Sequence, residues 1–403
     1  MMTFAPLPSW AHLLGAAARR APTGAQLEQI ARPWIALGET VGWLSRSAWS
    51  LALVATWRQR QTEGSPVVAW IPDFFCNASL APLRATGARL RFYPVDLDMR
   101  PDFEACRSMA ATEAPDLFVL VHYMGRPNSG AAAREFCAAL GAWLIEDAAH
   151  VLYPRGGIGS WGDFVLFSPH KHLPIPEGAV LVARASGPSA LTDEVLKNFG
   201  LPSDWPRQLA RKGVPGRMHR AREFRDSALW LAKRTLQKLG VRNWRSASPA
   251  FSEPIDGEGA RPDSLGSPEV SVLTKRLLPG AVSRLDEIAD VRSQNQTSWD
   301  SSLMSRTDSR AGGVEPAERS TRDDWTPYLA AFRVDYAVAE EIYDNWTRCR
   351  LPVMTWPDLP PEVKGDRERY ANAWRLRHGR LYLPVHQTLS TLNPARDVDV
   401  LSR

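Results

Sequence analysis

The segment AWLIEDAAH (142–150) ends in two acids, Glu146 and Asp147, with His150 three residues further on. The next apolar run, DFVLFSPHK (163–171), ends in Lys171, and Glu177-Gly178 opens a third, GAVLVAR (178–184). An acid and a lysine at neighbouring strand ends have a joint chemistry. The amine can bond an aldehyde cofactor as a Schiff base, and the carboxylate can hold a pyridinium nitrogen protonated. Pyridoxal 5'-phosphate (PLP) needs both, because its ring acts as an electron sink only while that nitrogen is charged. An isolated Asp/Lys pair is more often a capping aspartate and a surface lysine, so the context decides.

Other clusters offer less. His170 and His172 flank Lys171, and with His122 and His150 they could be imagined around a metal. Residues two apart at a strand end point apart, however, and no carboxylate or cysteine spacing supports zinc, so no metal is expected. The four cysteines, Cys76, Cys106, Cys137 and Cys349, form no CxxC pair and no disulfide framework. The Trp- and Arg-rich stretch WPRQLARKGVPGRMHRAREFR (205–225) reads as a solvated basic helix or as a contact for a nucleotide diphosphate.

The elements that must position Asp147 and Lys171 alternate every 10–20 residues. SAWSLALVATWRQRQ (47–61) has the pattern of a helix, PVVAWIP (66–72) of a buried strand, and FFCNASLAPLRATG (74–87) of a helix stopping at Gly87. RLRFYPVD (89–96) and DLFVLVHYMG (116–125) follow as strands, with the helix GAAAREFCAALG (130–141) before AWLIEDAAH. Helices alternating with short, continuously apolar strands predict an α/β domain with a mostly parallel sheet covered on both faces. Ligands in such folds sit where the strands end. Beyond 185 the pattern weakens to a helical run at 222–240, a helix from about 268 to 303 interrupted near Pro279, and a strand (329–334), helix (335–348) and short strand (381–385).

IEDAAH, then GDFVLFS, a lysine, and Glu-Gly before an apolar strand resembles the core of the DegT/DnrJ/EryC1/StrS family of PLP-dependent sugar aminotransferases. Other segments agree in order. SRSAWSLAL (45–53) stands where the family carries a phosphate-binding turn, and VLVHYMGRP (119–127) resembles its Val-His-x-x-Gly-x-Pro turn. RLYLPVHQTLS (380–390) resembles its Leu-Pro-x-His ending. The resemblance implies a fold-type I PLP transferase: a large domain with a mostly parallel, seven-stranded-type sheet between helices, plus a smaller C-terminal α+β domain. The implied division is an N-terminal helical segment (1–40), a large domain (41–250) with a divergent insertion (186–265), and a small domain (268–403).

Carried over by residue, Lys171 is the Schiff-base lysine and Asp147 the partner of the pyridine nitrogen. His150 lies by the phenolate oxygen, while Ser168, Ser47 and the backbone of Ala48 hold the phosphate at a helix start. An aromatic residue after Pro72 is expected to stack on the ring. Strict alignment lands on Cys76, so Phe74 or Phe75 must serve, and Phe75 is the candidate. Tyr123 faces the site or the core. Two departures stand out. Arg46-Ser47 replaces the family's Gly-Thr, placing an arginine against phosphate or toward solvent. The Gly-Tyr-Asn-x-Arg segment, by which a second subunit reaches the cofactor, has no counterpart.

The resemblance therefore implies a PLP-dependent aminotransferase acting on a nucleotide-linked keto-sugar, with glutamate as amino donor. The alternatives are a PLP lyase or dehydratase, a non-sugar transferase, or a non-catalytic binding protein. The 403 residues are 44% hydrophobic and 23% charged, with a net charge of +5. These values exclude a disordered chain or a fibre. No run of five basic residues suggests nucleic-acid binding, and no stretch reaches the ~18 apolar residues of a membrane span. The N-terminus lacks a basic region before its apolar part, and the thiols suit a reducing cytoplasm. With 16 tryptophans, more than one core need absorb, a homodimer with its site near the subunit boundary is expected.

Overall fold

The computed structural model describes residues 3–62, 65–185, 187, 216–240, 251, 267–304, 314–317, 324–349, 351–356 and 358–389. Most of the insertion therefore lies outside the described residues.

Seven strands make the larger sheet: β1 (Thr40–Leu44), β2 (Val68–Pro72), β3 (Arg89–Tyr93), β4 (Leu117–Val121), β5 (Trp143–Ala148), β6 (Phe164–Phe167) and β7 (Ala179–Ala183). Their order is β1-β7-β6-β5-β4-β2-β3. The pairs β2/β3, β2/β4, β4/β5 and β5/β6 are parallel. Strand β7 runs antiparallel to both β6 and β1. Every residue of β2, β4, β5, β6 and β7 is buried. This explains the unbroken apolar sequences of β2, β4, β6 and β7, and of β5 up to Glu146: with helices on both faces, no side chain points to water.

The two faces carry separate cores, and the strands divide between them with period two. Phe164, Leu166, Ala179 and Leu181 join one core with the helix Ser47–Gln61 and with Phe136 of the helix Gly130–Leu140. Val165, Phe167, Val180 and Val182 join the other with Ala16, Trp34, Leu277 and Ile288. That second layer has two consequences for domain boundaries. The N-terminal segment, with helices Trp10–Ala18 and Gly24–Ile30, is a cover for the sheet. The helix Val272–Val282 packs on the same face, although the sequence division assigns 268–403 to the small domain. Its apolar side fits the space beside β7, and linear pattern carries no such information.

The smaller sheet contains β8 (Val314–Pro316), β9 (Leu329–Val334) and β10 (Arg380–Pro384) in the antiparallel order β10-β9-β8. Phe332, Leu381 and Leu383 pack there against Tyr343 and Trp346 of the helix Ala339–Arg348. The continuous helix expected at 74–87 is instead a 3-10 turn, Asn77–Leu80, followed by the short helix Ala81–Ala85. Pro82 has no N–H to donate and favours a helix start, so the regular helix begins there. Pro279 is accommodated inside its helix, and the interruption falls after Val282.

Asp73, immediately after β2, is buried, and its Oδ1 accepts the Val95 N–H at 3.2 Å. Burial pushes the carboxyl up to about 7, with backbone N–H donors such as that of Val95 opposing. In the unfolded chain the same group titrates near 3.8. Folding therefore binds a proton between these values, and stability falls as pH rises through that window. Asp73→Asn is expected to raise stability at pH 8 by about 2 kcal/mol, given ~1.4 kcal/mol for each tenfold change in proton affinity and partial relaxation, with little change at pH 4. Urea unfolding at the two pH values checks this, and an equal effect at both would refute it.

Candidate active site

Asp147 and Lys171 reach the same edge because β5 and β6 are parallel neighbours, with Asp147 in register with Leu166 and Ala148 with Phe167. The chain leaves β6 through Ser168 and the single turn Pro169–Lys171. Asp147 is 6% exposed, and its Oδ1 accepts the Ala149 N–H at 2.9 Å. Burial raises its carboxyl, and the Lys171 charge is the strongest influence pulling it back. Lys171 is half-buried. Burial lowers its amine, Asp147 and then Cys76 favour the charged form, and Arg46 opposes it. Buried His150 is held well below its ordinary value, by burial first and then by Lys171. Its Nδ1 accepts the Met124 N–H at 3.3 Å, which places any single proton on Nε2.

At the other side of the lysine lies the start of the helix Ser47–Gln61. Ser47 and Ala48 occupy its first turn, where backbone N–H groups lack helical partners and the helix dipole favours an anion. Arg46, which the sequence left facing either phosphate or solvent, turns inward: its Nη1 donates to His170 Nε2 at 3.1 Å. His170 Nδ1 meets the Gly178 carbonyl at 3.0 Å, so the proton belongs on Nδ1. Burial and the neighbouring Arg46 push His170 down to about 3, leaving it a neutral acceptor for the guanidinium. Ser168 Oγ, at the end of β6, is buried without a partner among the described residues. An unsatisfied hydroxyl, an inward arginine and a helix N-terminus suit a phosphorylated ligand. A buried carboxylate and amine at the adjoining strand ends suit a pyridine aldehyde. PLP therefore fits the residues present.

Other residues named from sequence have structural roles. His122 Nε2 meets Glu146 Oε2 at 2.8 Å, and its Nδ1 accepts the Asn128 N–H at 3.1 Å. Glu146 also accepts from the backbone N–H groups of Gly159, Trp161 and Gly162. Burial would raise this carboxyl, but the His122 bond and the glycine amides outweigh it. The pair anchors the loop beneath β5, and His122 has no free nitrogen for a metal. Among the described residues no group of three or more His, Cys, Asp or Glu could hold a metal ion. Tyr123 belongs to the core: it is 2% exposed and donates to the Phe74 carbonyl at 2.6 Å. Phe75 is buried in the same core, and the adjacent Cys76 is half-buried.

Two aromatic residues come from beyond the large sheet: Tyr328, which the sequence did not single out, and Trp356, whose segment WPDLP (356–360) reads in sequence as a rigid turn or a substrate lip. Tyr328, just before β9, lies parallel to His150 at 4.6 Å between ring centroids. Lys171 Nζ lies 5.8 Å from the Tyr328 ring centre. Trp356 stacks on Phe74 at 4.2 Å and meets His150 edge-on at 5.8 Å. Neither has a spacing in sequence that ties it to Lys171.

Residues 47–230 match the model of the DegT/DnrJ/EryC1/StrS aminotransferase family. Among solved structures, the aminotransferase TlmJ from Streptoalloteichus hindustanus superposes with a TM-score of 0.68 at 17% identity, over 100% of this chain and 97% of that one. A putative sugar aminotransferase from Streptococcus pneumoniae, Spr1654 in its PMP form, gives 0.67 at 16% identity over 100% and 98% of the two chains. DesI in the presence of its TDP-sugar product gives 0.65 at 16% identity over 100% and 92%. No curated protein matches the sequence. Among the described residues no helix is long and apolar enough to cross a membrane. Members of the matched family are PLP-dependent aminotransferases. The motif series around Lys171 and the family match thus make residues 47–230 similar to the DegT/DnrJ/EryC1/StrS aminotransferase family, and the solved structures share the fold of the whole chain at low identity.

Proposed function

We propose that the protein is an aminotransferase whose acceptor is a nucleotide-linked keto-sugar, with glutamate as amino donor. The observation that carries the reading is Lys171, held half-buried between the Asp147 carboxylate and the Arg46–helix terminus. Bound PLP supplies the electron sink for removal of a proton from the carbon bearing nitrogen. Asp147 would hold the ring nitrogen, and His150 would face the phenolate side. Ser168, Ser47, the Ala48 amide and Arg46 would hold the phosphate. Lys171 would anchor the aldehyde carbon and, once released, take and return the proton as general base. Burial lowers the proton affinity of its amine, the direction a lysine base requires. Retention of both Asp147 and Lys171 argues against a non-catalytic role.

The test is a half-reaction. L-Glutamate added to PLP-loaded protein should convert the visible absorption band to that of the pyridoxamine form, and a nucleotide-linked keto-sugar should restore it. No change with any amino acid would refute transamination. The phosphate assignment makes a separate prediction. Arg46→Met should weaken PLP binding about tenfold, within the range of a charged hydrogen bond, and leave binding of unphosphorylated pyridoxal unchanged. Equal losses for both ligands would place Arg46 elsewhere in the site.

We also propose a homodimer with the site near its boundary. Support comes from apolar side chains left in water: Trp10 and Leu14 of the first helix are 50% and 70% exposed, and Phe224 and Leu229 of the helix Gly216–Lys238 are 77% and 61% exposed. Light scattering that reports an active monomer of about 45 kDa would overturn this.

A further inference from the structure

The loop after β2 presents a thiol, Cys76, where an aromatic side chain was expected, while Phe74 and Phe75 are committed to the core. An aromatic ring nevertheless faces Lys171, and it comes from the other sheet. We infer that Tyr328, carried by the segment entering β9, is the aromatic wall of the cofactor pocket, so that the two sheets complete the pocket together. This inference rests on the PLP reading above.

The geometry supports it from three sides. Lys171 Nζ lies 5.8 Å from the Tyr328 ring centre. A carbon bonded to that nitrogen stands only about 1.3–1.5 Å from it, so a group held there begins beside the Tyr328 ring. His150, assigned to the cofactor's phenolate side, is parallel to the same ring within 11° at 4.6 Å. His172 meets the ring edge-on at 5.2 Å.

Tyr328 is also held in place. Its N–H donates to the Met124 carbonyl at 2.9 Å, in the loop after β4, and its carbonyl accepts from Arg292 Nη1 at 3.0 Å. Arg292 is itself buried, on the helix Leu285–Met304. The backbone of Tyr328 is thus tied to both parts of the molecule, and His150 and His172 pack against its ring. A rigid ring costs little entropy when it packs against a ligand, which is why an aromatic rather than an aliphatic side chain suits this place.

The experiment compares Tyr328→Phe with Tyr328→Leu, which keeps apolar bulk and removes the ring. Apo-protein is titrated with PLP, and the dissociation constant and the visible circular dichroism of the bound cofactor are read directly. The phenylalanine variant is expected to stay within about twofold of the wild type. The leucine variant should bind about tenfold more weakly and lose most of the induced signal. Wild-type values in the leucine variant would overturn the inference. So would equal losses in both variants, which would make the hydroxyl and not the ring responsible. If the wild type itself acquires no visible band with PLP, the proposed function fails, and this inference fails with it.

Discussion

Lys171→Ala is expected to lower turnover by at least about 10⁴-fold, the upper end of what a positioned acid–base group contributes, because the same nitrogen also anchors the cofactor. The fold should survive. The side chain is half-buried at the site's edge and belongs to neither hydrophobic core of the large sheet. Two results would establish the assignment. Borohydride reduction of the PLP-loaded wild type followed by peptide mapping should place the pyridoxyl adduct on Lys171. The same treatment of Lys171→Ala should leave no adduct, although PLP still binds through the Arg46 end. An adduct on another lysine, or an active alanine variant, would sink the idea. Lys171→Arg is expected to be as inactive as the alanine variant, since a guanidinium neither bonds the aldehyde nor releases a proton near neutrality.

Asp147→Asn is expected to reduce turnover by about 10²–10³-fold, the range for removing one preorganised charge from a site. The amide oxygen of the new side chain could still accept the Ala149 N–H, so the local backbone should be unchanged. The negative charge would be lost, and with it the group that keeps a pyridinium proton in place. Burial raises the Asp147 carboxyl, and Lys171 is the main influence favouring its ionised form. The two charges therefore support one another, and removing the acid should also lower the Lys171 amine further. The pH profile of the donor half-reaction should shift its lysine-dependent limb to lower pH. Near-normal turnover in Asp147→Asn, or an unshifted profile, would mean that another group holds the ring nitrogen. Borohydride labelling of Lys171 should persist, which separates this variant from a loss of binding.

Local sequence sufficed for the sheet's central strands, for Asp147 and Lys171 at adjacent ends, and for the helix Ser47–Gln61. Burial on both faces writes an unbroken apolar run that is readable without coordinates, as in LFVLV and AVLVA. Short elements at the margin of the fold are not legible in the same way. Strand β1 and the helix Phe103–Ala110 are short and only partly buried, although Asp102 caps the latter by accepting from Glu104 and Ala105. The proposed site divides along the same line. Asp147, His150, Ser168 and Lys171 stand within one stretch of chain, where strand register fixes their proximity. Arg46 could be named from its place before a helix, but not oriented, because its direction depends on His170 more than a hundred residues away. Tyr123 and Phe75 look like Tyr328 in sequence, each being an aromatic residue near a strand end. Which of them enters the core and which borders Lys171 depends on how the second sheet docks beside β4 and β5, through bonds such as Tyr328 to Met124. Docking is decided by the fit of many distant surfaces at once, and no short segment encodes it.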